Sequence, residues 1–236
     1  MSGHSKWSQI KRTKGVLDKK RGVLFSRLAK QITIAARDGA NPDMNFRLRL
    51  AILKAREQAM PNDNIERSIK KAAGAEGVAL QSLIYEGYGQ AGTAFLIEVA
   101  SDNPNRSYQN IRTIFTKNNG TIGTQGSVAW HFQNKGQILV ERTAHLENIE
   151  LTAIEAGADD VRESDEGLEI YTKPEELEKV KVALEAAGAS IAQAELIMES
   201  SQGVDLTEEQ KPEVQKLFDA LSDDEDVVAV HTSANL

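Results

Sequence analysis

The chain has 236 residues, 40% of them hydrophobic and 27% charged, with a formal net charge of −7 and no cysteine. The lack of cysteine excludes disulfides, thiolate chemistry and Cys-based zinc sites, and no run approaches the roughly 18 apolar residues of a membrane span. The mean charge hides a split: residues 1–75 carry 17 Lys and Arg against 6 Asp and Glu, a net +11, and the remainder carries 11 against 29, a net −18. An asymmetry of this size points to a polyanion partner for the basic part.

In chain order, the basic character is densest in Met1–Gly22, where Lys6, Lys11, Arg12, Lys14, Lys19, Lys20 and Arg21 face the single acid Asp18. No apolar stretch follows it, so it does not read as a signal peptide, and a cytoplasmic location is expected. A first short helix is expected near Trp7–Leu17. Gly22–Arg37 places Leu24, Leu28, Ile32 and Ala35 at helical spacing, with Arg27, Lys30 and Arg37 off that stripe. Gly39 ends this helix, and Asn41-Pro42 reads as the cap and first position of the next, which Met60-Pro61 terminates. Asp63 with Glu66 three residues on resembles a capping box for a third helix that ends in Lys70 and Lys71.

After Gly77 the period changes. Ser82–Tyr88 and Thr93–Ala100 read as strands, Asn103-Pro104 caps a helix carrying Ile111, Ile114 and Phe115, and Ser127–Phe132 reads as a strand, giving β-β-α-β without a closing α-β pair. Gln137–Met198 then reads as a full β-α-β-β-α-β, the ferredoxin-like pattern. The remaining helix, Thr207–Leu221, and strand, Val227–Thr232, are the pieces the first unit lacks. The expected fold is therefore α+β with three domains, an N-terminal helical domain and two ferredoxin-like α+β domains, the third inserted into the second. The expected divisions are 1–76, 77–135 with 203–236, and 136–202.

Motifs for catalysis fail in context. Gly87-Tyr88-Gly89-Gln90-Ala91-Gly92 matches G-x-G-x-x-G, but a strand follows where a dinucleotide site needs a helix N-terminus. His4, His131, His145 and His231 lack metal-ligand spacing, and no nucleophile elbow or Walker A motif occurs. His131, between Trp130 and Phe132, is expected at a strand surface or edge. No enzyme activity, cofactor, metal or small-molecule substrate is expected. What remains is the basic head. Lys6, Lys11, Arg12, Lys14, Lys19, Lys20, Arg21 and Arg27 are expected to contact nucleic-acid phosphates, which gives affinity without sequence information. Trp7 is set to stack on a base or to pack on its own helix, and Asn103, Asn105 and Arg106 form a candidate second anion site.

Gly3-His4-Ser5-Lys6-Trp7 with Ile10-Lys11 and Asp18-Lys19-Lys20-Arg21-Gly22 resembles the opening of the YebC/PmpR family. Met60–Arg67, Tyr85–Gly89, Asp102–Arg106 and Gly120–Val128 resemble further blocks of that family; Gln90-Ala91 departs from its usual Pro-Gly. The resemblance covers the whole chain. It implies three domains, no catalysis, and either DNA-binding regulation of transcription or, by its relation to the mitochondrial translational activator of cytochrome c oxidase I, action on ribosomal RNA. Three functions stay open at this point: a DNA-binding transcriptional regulator, an RNA- or ribosome-associated translation factor, and a non-catalytic interaction scaffold. Nucleic acid is the expected partner, DNA favoured by the family name, and the acidic domains offer a surface to a protein partner.

Overall fold

The computed structural model describes residues 21–72, 80–143 and 145–235. Phe132–Ser201 forms one compact unit, and the remaining described residues, 21–131 and 202–235, form another.

The second of these units begins with helices α1 (Arg21–Ala35), α2 (Phe46–Glu57) and α3 (Asn62–Ala72). Their three- and four-residue spacing brings Leu28 and Ile32, Leu48 and Ile52, and Ile65 into one core with Met60. Asn45, not Asn41, caps α2. Its Oδ1 accepts from the Leu48 amide at 3.0 Å, while its Nδ2 donates to Ala35 O at 2.7 Å and Gly39 O at 2.8 Å. One buried amide thus starts α2 and closes the end of the preceding helix, which Asn41 is too far upstream to do. The α3 helix begins directly after Pro61, so Asp63 lies inside its first turn and favours the helix dipole there instead of capping it.

A sheet follows, made of β1 (Gln81–Tyr88), β2 (Ala94–Ser101), β3 (Thr121–Ile122) and, from the far end of the chain, β9 (Val227–Thr232), in the order β3-β1-β2-β9 with every pairing antiparallel. The pairing of Ile97 with Val230 and of Leu96 with His231 closes this sheet with the C-terminal strand. Phe95, Ile97 and Val99 on one face of β2 pack with Ile111 and Phe115 of α4 (Pro104–Lys117) and with Val214, Leu217 and Leu221 of α7 (Gln210–Ser222). The G-x-G-x-x-G stretch is a short turn between β1 and β2, with Ala91 at φ 56°. Gly87 is required by packing, since a Cβ there would lie 2.5 Å from Phe115 Cζ.

The strand expected over Ser127–Phe132 is absent. After β3 the chain runs as a loop, makes a single 3-10 turn at Ala129–His131 and enters β4 (Phe132–Glu141) only at Phe132. The cause is Glu86. Its buried carboxylate accepts from the amides of Gly126 at 2.6 Å, Val128 at 2.6 Å and Ala129 at 2.8 Å, which removes the donors a strand would need. Burial raises the Glu86 pKa, but these amide bonds outweigh it and hold the carboxyl below its usual range. His131 accordingly lies in the turn, its ring stacked 3.5 Å from that of the exposed Trp130, and not on a strand edge.

In the inserted unit, β4 is followed by α5 (Leu146–Ala156), β5 (Asp160–Ser164), β6 (Gly167–Thr172), α6 (Leu177–Ala186) and β7 (Ile191–Ser200). The order β5-β6-β4-β7, all antiparallel, is the ferredoxin-like arrangement. Ile138, Val140 and Ile170 are buried along with Ile149 and Ala153 of α5 and Val180 and Leu184 of α6. The chain is α+β, with an N-terminal helical region followed by two sheet domains, the third inserted into the second. Strands β8 (Val204–Asp205) and β10 (Ala234–Asn235) pair in parallel beyond it.

Candidate nucleic-acid interface

The basic helices have an inward face and an outward one, and the α-helical repeat sorts the cations between them. Arg27, Lys30 and Gln31 share one side of α1 by their three- and four-residue spacing. All three reach the segment that joins α7 to β9. Arg27 donates from Nε to Val227 O at 3.2 Å and from Nη2 to Ser222 O. Lys30 Nζ lies 2.7 Å from both Glu225 O and Asp226 Oδ1, and Gln31 Nε2 lies 3.0 Å from Val228 O.

Asp226 is the hub of this contact. Besides Lys30, its Oδ2 receives Arg106 Nη2 at 3.0 Å, Ser101 Oγ at 3.0 Å and Ser107 Oγ at 2.7 Å. Burial pushes its pKa up, but the bonds from Lys30, Ser107 and Arg106 win, and the carboxyl stays ionised far below the ordinary carboxylate range. Arg106 also pairs with Asp102 at 2.9 Å, so its guanidinium has two carboxylates and is not available as the anion site expected around Asn103. Asn103 does cap α4, its Oδ1 accepting from the Arg106 amide at 3.1 Å.

The outward face belongs to α3 and the end of α2. Arg56, Arg67, Lys70 and Lys71 are exposed and take part in no ion pair among the described residues. Between α1 and α3 lies an open groove of about 220 Å³, lined by Lys30, Thr33, Arg67, Ser68, Lys71 and Leu80. Arg67 and Lys71, one helical turn apart, stand at this groove with no anion among the described residues to neutralise them, whereas Lys30 is committed to Asp226. Two such cations at one groove are suited to a phosphate group, while the buried hydroxyls of Thr33 and Ser68 donate to backbone carbonyls.

Of the residues the sequence singled out, Lys6, Trp7, Lys11, Arg12, Lys14, Lys19 and Lys20 lie outside the described residues. Arg21 is the first residue of α1. Arg27 is turned inward and anchors α1 to backbone carbonyls, a role that removes its guanidinium from the outer basic face. Burial lowers its pKa, and Asp223 and Asp224 partly restore it. Lys71 was legible in the sequence as a helix-end cation, but the groove it shares with Arg67 was not, because it needs α1 opposite them. Among the described residues there is no group of three or more His, Asp or Glu placed to hold a metal ion, and no helix is long and apolar enough to cross a membrane.

Known proteins resemble this chain over its full length. A probable transcriptional regulatory protein of Desulfosudis oleivorans is 50% identical, covering 100% of this chain and 97% of its own length. One from Enterococcus faecalis is 46% identical, with 99% of each chain covered. The crystal structure of a conserved hypothetical protein from Aquifex aeolicus superposes with a TM-score of 0.82 at 41% identity, over 92% of this chain and 91% of that one. Residues 5–75 match the TACO1/YebC protein N-terminal domain and residues 80–234 the TACO1/YebC second and third domain, so the chain belongs to the TACO1/YebC family.

Proposed function

We propose that the chain is a cytoplasmic, non-catalytic regulator of transcription that binds DNA through its basic helical domain, with the divisions at 1–76, 77–135 with 203–236, and 136–202. The observation that carries this reading is the sorting of cations on the helices: Arg27 and Lys30 anchor α1, while Arg56, Arg67, Lys70 and Lys71 are left exposed and without an ion-pair partner among the described residues. Lys6, Lys11, Arg12, Lys14, Lys19, Lys20 and Arg21 add to the same positive charge along the chain, with Trp7 as a stacking residue. The acidic remainder repels a polyanion and so restricts which side of the protein faces it. The names of the relatives favour a transcriptional role.

Crosslinking in cells, followed by sequencing of both the DNA and the RNA recovered with the protein, tests this reading. Discrete promoter DNA without ribosomal RNA is the expected result. Recovery of ribosomal RNA without promoter DNA would replace the proposal with a translation factor using the same basic surface, the role that the kinship with a mitochondrial translational activator supports.

A further inference from the structure

The inserted unit carries 16 Asp and Glu against 6 Lys and Arg over residues 132–201, a net −10, and so exceeds the acidity of the whole chain. Its helices α5 and α6 are apolar on two sides. The inward side is the core already described. On the outward side, Leu151 is 59% exposed, Ile154 54% and Val182 57%. The helical repeat explains the placement: Leu151 is two residues from both Ile149 and Ala153, and Val182 is two residues from both Val180 and Leu184, which turns each away from the sheet. Leu151 and Ile154 on α5 and Val182 on α6 thus offer apolar surface to water on two helices of the same unit, the kind of surface a partner can cover.

The surrounding charge selects the occupant. Glu147, Glu150 and Glu155 flank Leu151 and Ile154 on α5, and none of them has an ion-pair partner among the described residues. Five of the six cations of the unit are held in ion pairs, Lys135 with Glu199, Arg142 with Glu163, Arg162 with Asp160, and, beside Val182 on α6, Lys179 with Glu176 and Lys181 with Glu185. An apolar strip edged by unneutralised carboxylates repels nucleic acid and a second acidic face alike. It complements a segment that has apolar residues on one side and Lys or Arg on the other.

We infer that the outward face of α5 and α6 docks a Lys/Arg-rich amphipathic segment of a partner protein. This surface is independent of the basic helices and binds the opposite class of ligand.

The test uses the full chain and a labelled synthetic peptide of about 18 residues, with Leu at helical spacing and Lys elsewhere. The peptide is expected to bind, and the L151S/I154S/V182S variant is expected to lose about tenfold or more in affinity. The three positions are exposed, so the melting temperature checks that the variant folds. Glu147→Lys with Glu155→Lys is expected to weaken binding similarly and gives a second reading that leaves every apolar residue in place. Undiminished binding by both variants overturns the assignment. Equal binding of a peptide with the same composition but shuffled Leu positions also overturns it, since charge alone then suffices. Replacing Lys11, Arg12, Lys19 and Lys20 by Glu is expected to leave the peptide affinity unchanged; a gain would mean that the chain's own basic segment occupies the face. A dimer of the full chain that the Ser variant dissociates would assign the face to a second copy instead.

Discussion

A buried carboxylate is costly unless its partners outweigh the lost water, and Asp226 gathers Lys30, Arg106, Ser101 and Ser107 to meet that condition. Asp226→Asn keeps the shape but leaves a half-buried ammonium without its counter-charge, so a loss of about 3 kcal/mol is expected in urea unfolding. The pH dependence has a defined sign. The folded-state pKa of Asp226 is depressed, so its contribution is complete above the unfolded carboxylate value of about 4 and is lost as pH falls below it. Acid unfolding of the wild type should therefore be steeper than that of Asp226→Asn in that range. Arg27 and the pair Arg67 and Lys71 separate anchoring from binding. Arg27→Ala should lower the melting temperature and leave the salt dependence of DNA binding intact. Arg67→Ala with Lys71→Ala should do the reverse, reducing the slope of log affinity against log salt by about 2, close to one for each phosphate no longer neutralised.

At the level of elements, Glu86 decides the path of the chain between β3 and β4. Glu86→Gln offers one acceptor oxygen to amides that now share a carboxylate, and presents an NH2 group where an acceptor is needed. The expected result is a cost of about 2 kcal/mol and faster hydrogen exchange at Gly126, Val128 and Ala129, with the fluorescence of Trp130 reporting the loosened turn. Unchanged exchange at those three amides would show that the loop holds itself. The same loop marks the limit of reading elements from sequence. Val128-Ala129-Trp130-His131-Phe132 has strand composition, and only a carboxylate some 40 residues upstream diverts it. Helices and strands governed by local periodicity were legible, including β5 at Asp160–Ser164 and β9 at Val227–Thr232. The cap of α2 is misread at Asn41 because Asn45 acts through hydrogen bonds to the end of the preceding helix. The positive charge of the helical region was legible as composition. The division of its cations into anchors and outward groups was not, since the partners of Arg27 are carbonyls about 200 residues away, and a carbonyl leaves no trace in a sequence.

Across the whole molecule, the charge split makes binding a question of salt. Between low and physiological salt, affinity for duplex DNA should fall log-linearly, with a slope of about −4 to −5 if about five phosphates are neutralised. A slope near zero in a titration from dilute to physiological salt would rule out phosphate neutralisation as the source of affinity. The antiparallel pairing of β2 with β9 has a further consequence, in the time domain. Residues Phe95 to Val99 of β2 find their second neighbours roughly 130 positions later, while β4, β5, β6 and β7 are all made before Gln202. On a growing chain the inserted unit therefore has its complete sheet first, and α1 acquires the carbonyls that hold it only after Ser222, Glu225, Val227 and Val228 have emerged. The basic helices become fixed on their support only once residues 222–228 are made, so a copy that stops short of them carries the charge but not the arrangement that aims it.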